Sequence, residues 1–137
     1  DEIEPDSQSS AFNVAFEGQT DTAESVAGSI FLENVATRAD AAKFKVTGGE
    51  VVVGDSFPYD VVFGKARVVE TPANDVLTII AQLVDENGDV STAKLVMDSA
   101  NLKDEILSGS AGFDIVSSKV PGFDIASGSG TVSPVST

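Results

Sequence analysis

Apolar and polar residues alternate with a period of two along most of the chain, the spacing of half-buried β-strands. "SSAFNVAFEGQT" sets Phe12, Val14 and Phe16 on one face and Asn13, Ala15 and Glu17 on the other. "SVAGSIFLEN" aligns Val26, Ile30 and Leu32, with Gly28 as a candidate bulge. "AAKFKVT" sets Ala42, Phe44 and Val46 against Lys43, Lys45 and Thr47. "EVVVG" is a short apolar run ended by Gly54, and "YDVVFGKARVVE" is a longer strand in which Gly64 marks a bulge or bend. "DVLTIIAQLVD" aligns Leu77, Ile79, Ala81 and Leu83, and "VSTAKLVM" aligns Ala93, Leu95 and Met97. Between these two lies Asn87-Gly88, a strong hairpin signal of the type I′ kind.

About seven or more such strands, rich in Val and Phe, predict an all-β fold, either a β-sandwich or a small barrel. The sandwich, immunoglobulin-like or jelly-roll-like, is the reading taken. One segment leaves the pattern. "DSANLKDEILSG" offers Asp98 as an N-cap, Leu102, Ile106 and Leu107 at helical spacing, and Gly109 as a stop, so it predicts one short helix. A helical turn around Ala36–Ala42 competes with a strand there. "GFDIVSS" and "GFDIASG" echo each other ten residues apart, as two strands folded at Pro121-Gly122 would. The organisation expected is an arm over residues 1–24 with a strand at about 11–17, a sandwich domain over 25–126, and a polar tail over 127–137.

Charge and composition narrow the function. The 137 residues carry 22 acidic and 8 basic side chains, a net charge of −14. Such a surface repels nucleic acid and anionic membranes, and it resists non-specific aggregation. No stretch reaches the roughly 20 apolar residues of a helical membrane span. Cysteine and histidine are both absent, which removes disulfides, zinc-finger spacings and the commonest general base. A first residue of Asp rather than Met fits either a trimmed chain or a mature protein after signal-peptide removal; the second is the expectation, and with it an extracellular or cell-surface location. No N-x-S/T sequon is present.

Candidate chemistry is sparse. "STAK" (Ser91 to Lys94) matches the S-x-x-K pattern of serine acyl enzymes, but those set the pair one helical turn apart. On a strand, Ser91 and Lys94 point to opposite faces, so no catalytic site is expected and the chain is read as a non-enzyme. "DENGD" places Asp85, Asn87 and Asp89 at the alternate spacing of a calcium loop. Val90 stands where that loop needs Gly and Val96 where it needs Glu. A solvated hairpin turn, holding Ca²⁺ or another cation loosely if at all, is the expectation, and no cofactor is called for. Lys65 and Arg67, alternate on one strand among many acids, read as a solvated face with local ion pairs.

The first strand decides between two architectures. The polar segment Gly18–Ser25 spans roughly 25 Å when extended, at about 3.3 Å per residue. It can fold the strand back onto its own sheet or carry it into a neighbour's. Burying Phe12, Val14 and Phe16 stabilises either arrangement by about 1.5–3 kcal/mol per side chain. Strand addition that does not close on itself makes a filament.

The run "GGEVVVGDSFPYDVVFGKARVV", within residues 10–97, resembles small secreted β-proteins of marine archaea. The general plan is similar to subunits of extracellular threads that polymerise by donating an N-terminal strand. That resemblance implies a structural protein whose partner is itself, as a homopolymer, with Phe12, Val14 and Phe16 as the assembly residues. The alternative expectation is a monomeric secreted binding module for cations or glycans.

Overall fold

The computed structural model describes residues 11–37, 41–55, 58–72, 74–99, 111–120 and 123–134. Among the described residues eight strands follow in chain order: β1 (Ala11–Thr20), β2 (Ser25–Thr37), β3 (Ala41–Val53), β4 (Tyr59–Glu70), β5 (Asp75–Val84), β6 (Val90–Ser99), β7 (Ala111–Val120) and β8 (Phe123–Pro134). Each runs antiparallel to the next, and β8 returns to pair with β1, which closes the sheet into a barrel. The all-β expectation holds. The layering differs: one sheet curls onto itself instead of splitting into the two layers of a sandwich.

The strict alternation explains the packing. On β5, Leu77, Ile79, Ala81 and Leu83 are all buried, and the intervening residues are partly exposed. The same inward rows continue with Phe44 and Val46 on β3, Ala93, Leu95 and Met97 on β6, and Val132 on β8. Phe12 and Phe44 meet edge to face with ring centroids 5.8 Å apart, a favoured aromatic geometry. An eight-stranded barrel is just wide enough for its own side chains to fill it.

Closure rests on small residues at the β1–β8 seam. Gly18 is registered with Gly128, and Phe16 with Gly130. A side chain at Gly18 would collide with the Ser127 carbonyl oxygen and come within 2.7 Å of the Gly128 Cα. "SGSGTVS" therefore reads as a tail by composition yet serves as the seam strand. Residues 127–134, expected to lie beyond the folded domain, belong to β8.

Several local expectations are refined. "AAKFKVT" and "EVVVG" form one strand, β3, whose inward phase changes between Val46 and Val51 around Gly48-Gly49. The irregularity expected at Gly64 falls earlier: the register shifts between Val61 and Phe63, which leaves Val62 and Phe63 both exposed, while Gly64 itself stays in register with Ala81. Gly28 is no bulge. The β2 register runs through it unbroken, and an added Cβ would sit 2.5 Å from the Phe16 ring, so the glycine makes room for that ring. β7 and β8 pair as a hairpin up to Val120–Phe123, as the echoed sequences suggested. Asp98, cast as a helix N-cap, lies in β6 instead, paired with Val76 and Asp114. Leu102, Ile106, Leu107 and Gly109 lie outside the described residues.

Candidate functional site

β1 carries the residues expected to drive assembly. Phe12, Val14 and Phe16 are buried inside the barrel. Within the single chain, β1 is hydrogen-bonded on both sides, to β2 and to β8. The strand is thus accommodated by its own sheet, the first of the two arrangements open to it.

The turn after β1 is unusual in one respect. The Ala23 amide donates to the Thr20 carbonyl (3.0 Å) and the Thr20 amide to the Glu24 carbonyl (2.8 Å). Thr20 Oγ1 accepts from the amides of Thr22 (3.2 Å) and Glu24 (3.1 Å). Ala23 has φ of 67° and is the only non-glycine residue with positive φ among the described residues. For an L-residue the left-handed conformation costs roughly 1–2 kcal/mol.

The β5–β6 turn has the same plan with the fitting residue. The Gly88 amide donates to the Asp85 carbonyl (3.0 Å), and the Asp85 amide to the Asp89 carbonyl (3.0 Å). Asp85 Oδ1 accepts from the amides of Asn87 and Asp89, each at 2.9 Å. Gly88 takes the positive φ, 84°, and Asn87 does not. The hairpin expected at Asn87-Gly88 is therefore real, but it is a type I turn followed by a glycine bulge, not type I′. One oxygen of Asp85 is committed to closing this turn, so Asp85, Asn87 and Asp89 form a hydrogen-bonded hairpin tip. No cluster of three metal-ligating side chains occurs among the described residues. Ser91 is partly exposed and Lys94 exposed on the outer wall, on opposite faces of β6 as strand geometry requires.

The outer wall holds what the sequence did not disclose. Lys65 and Arg67 do not face acids across the strand. Lys65 is registered with Lys45, and Arg67 with Lys43. One row runs laterally from Lys45 through Lys65 and Ile80 to Lys94 and the position of Lys119. The parallel row two residues along holds Lys43, Arg67 and Thr78. Lys45 pairs with Glu33 at 2.9 Å; among the described residues no ion pair joins Lys43, Lys65, Arg67 or Lys94. Five cationic side chains border an outer depression of ≈ 650 Å³, floored in part by Ile80. Higher on the same two strands the sign reverses: Glu50 stands opposite Asp60, both exposed. Between the two lie the exposed Phe31, Val62 and Phe63. Only the strand register could have revealed this segregation, because the lysines are scattered along the sequence.

No family model matches the chain, and no curated protein does. Among solved structures, EF1p2_mFAP2b, solved bound to DFHBI, is similar at a TM-score of 0.46 and 11% identity, covering 93% of each chain. The redesigned β barrel b11L5F_LGL is similar at a TM-score of 0.41 and 12% identity, covering 93% of this chain and 91% of that one.

Proposed function

We propose that the chain is a non-enzymatic structural subunit of an extracellular or cell-surface assembly, which joins copies of itself by exchanging β1. The observation that carries this reading is the pairing of a core-filling strand with a strained hinge. β1 brings Phe12, Val14 and Phe16 into the core, and the turn that returns it holds Ala23 at positive φ. Moving β1 into a neighbour keeps every core contact and ladder bond while the hinge straightens and the Ala23 strain is relieved. Strained short hinges favour such exchange. The cost is the freedom lost on association, so the exchanged form is favoured by concentration.

A cysteine pair tests the reading, since the chain has no native cysteine. Ala15 and Ser29 are directly opposed on β1 and β2, within reach of a disulfide. At high salt, the Ala15→Cys/Ser29→Cys chain oxidised while dilute keeps β1 at home and stays monomeric, while the reduced chain forms oligomers as concentration rises. A reduced chain that stays monomeric at millimolar concentration contradicts the exchange. That outcome favours the second reading, a monomeric secreted binding module, which draws on the pairing of β1 at both edges within its own barrel.

A further inference from the structure

We propose that the cationic belt on β3–β6 is a docking surface for the acidic turn end of a second copy of this chain. The proposal requires no exchange of β1.

The belt is costly to the isolated subunit. Like charges directly opposite each other on adjacent strands destabilise a sheet. Lys45–Lys65 and Lys43–Arg67 are two such pairs side by side, and Lys94 extends the row two strands further. A chain with 22 acids and 8 bases has ample acids to intersperse. Instead five of its bases gather around one depression. Apart from Glu33, which pairs with Lys45, this is the arrangement of a surface whose counter-charges come from elsewhere.

The chain carries the complementary surface itself. In an up-and-down barrel the turns β1–β2, β3–β4, β5–β6 and β7–β8 share one end. The first three present Asp21, Glu24, Asp55, Glu86 and Asp89, all exposed. None of the four turns contains Lys or Arg. From β3 to β6 the belt spans three strand spacings of about 4.8 Å, about 14 Å in all, enough to receive more than one turn tip at once. Ile80, half-buried between Lys65 and Lys94, adds an apolar floor on which the lysine stems can lie.

The two patches differ, one on the wall and one at an end, so the contact is heterologous. Repetition gives a ring if the rotation closes and a filament if it does not. Its salt dependence has a definite sign. A net charge of −14 makes uniform repulsion weaker as salt rises, which favours association. A complementary dock behaves in the opposite way, because salt screens its attraction.

Sedimentation velocity of the full-length chain tests the proposal, at about 20 mM and about 500 mM NaCl, where the Debye length differs several-fold. The expected result is self-association at low salt that weakens roughly tenfold or more at high salt, and that persists when the Ala15–Ser29 disulfide holds β1 in place. With the same disulfide holding β1, the charge-reversed belt variant Lys65→Glu/Lys94→Glu and the end variant Glu86→Lys/Asp89→Lys are each expected to be monomeric alone. Mixed, they form a 1:1 complex, since the new acidic belt meets the new basic end. A wild-type chain monomeric at low salt, or associated more strongly at high salt, overturns the proposal whatever the variants do. So does a mixture of folded variants that stays separate. Belt-dependent capture on heparin without self-association overturns it in favour of an anionic glycan partner.

Discussion

Lys45 and Lys65 stand directly opposite each other across β3 and β4, both exposed. The same register sets Lys43 against Arg67, so four cations share one patch of wall. In the isolated barrel this arrangement opposes stability, and relieving it has a readable consequence. Lys65→Glu places a carboxylate opposite Lys45, in the same row as Lys94. The variant is expected to be more stable by about 0.2–1 kcal/mol, seen as a higher Tm, while self-association at low salt weakens. A variant that is both less stable and less associated would point to a folding defect.

Ala23 and Gly88 occupy the same position in two copies of one turn, and both have positive φ. Opposite substitutions should therefore have opposite effects. Ala23→Gly is expected to stabilise by about 1 kcal/mol, and Gly88→Ala to destabilise by a similar amount. Space plays no part at Gly88, since nothing lies within 4 Å of an added Cβ. Chemical denaturation of the two variants measures both. If the hinge strain drives exchange of β1, Ala23→Gly also shifts the population towards monomer.

The β1–β8 seam leaves no room for a side chain at Gly18. At Gly18 the obstacle to a side chain is the backbone of Ser127 and Gly128, which cannot rotate away. Gly18→Val is expected to cost about 1–3 kcal/mol and to expose the edges of β1 and β8. Hydrogen exchange should then quicken on those two strands first. Uniform acceleration over all the strands would contradict a local opening of the seam by this substitution.

Asp85 closes its turn with two amide bonds to one carboxylate oxygen. Asp85→Ala is expected to cost about 1–2 kcal/mol, with the same loss of Tm in calcium and in NaCl of matched ionic strength. Asp89→Ala, whose exposed side chain has no such role, should cost far less. A wild-type melt raised by calcium, with the rise abolished by Asp85→Ala, would instead assign the loop a bound ion.

The strands were legible because burial imposes a period of two, and it does so whether the sheet closes or splits into layers. That is why Leu77, Ile79, Ala81 and Leu83 could be placed inward from sequence while the barrel could not be told from a sandwich. Closure depends on Gly18 meeting Gly128, a contact between residues more than a hundred positions apart that no local pattern encodes. The polar composition of "SGSGTVS" even argued for a tail. Phe12, Val14 and Phe16 were read correctly as wanting burial, since three alternating large apolar side chains require a core. The belt was invisible for a different reason. Lys45, Lys65 and Lys94 lie far apart in sequence, and register alone brings them into one row.

Self-assembly is read most simply from mass against concentration. Light scattering coupled to size exclusion, on the unmodified full-length chain, should show species above the 14.1 kDa subunit mass that grow in number as the loading rises from micromolar to millimolar. A single 14.1 kDa species throughout that range, at low and at high salt, would contradict it.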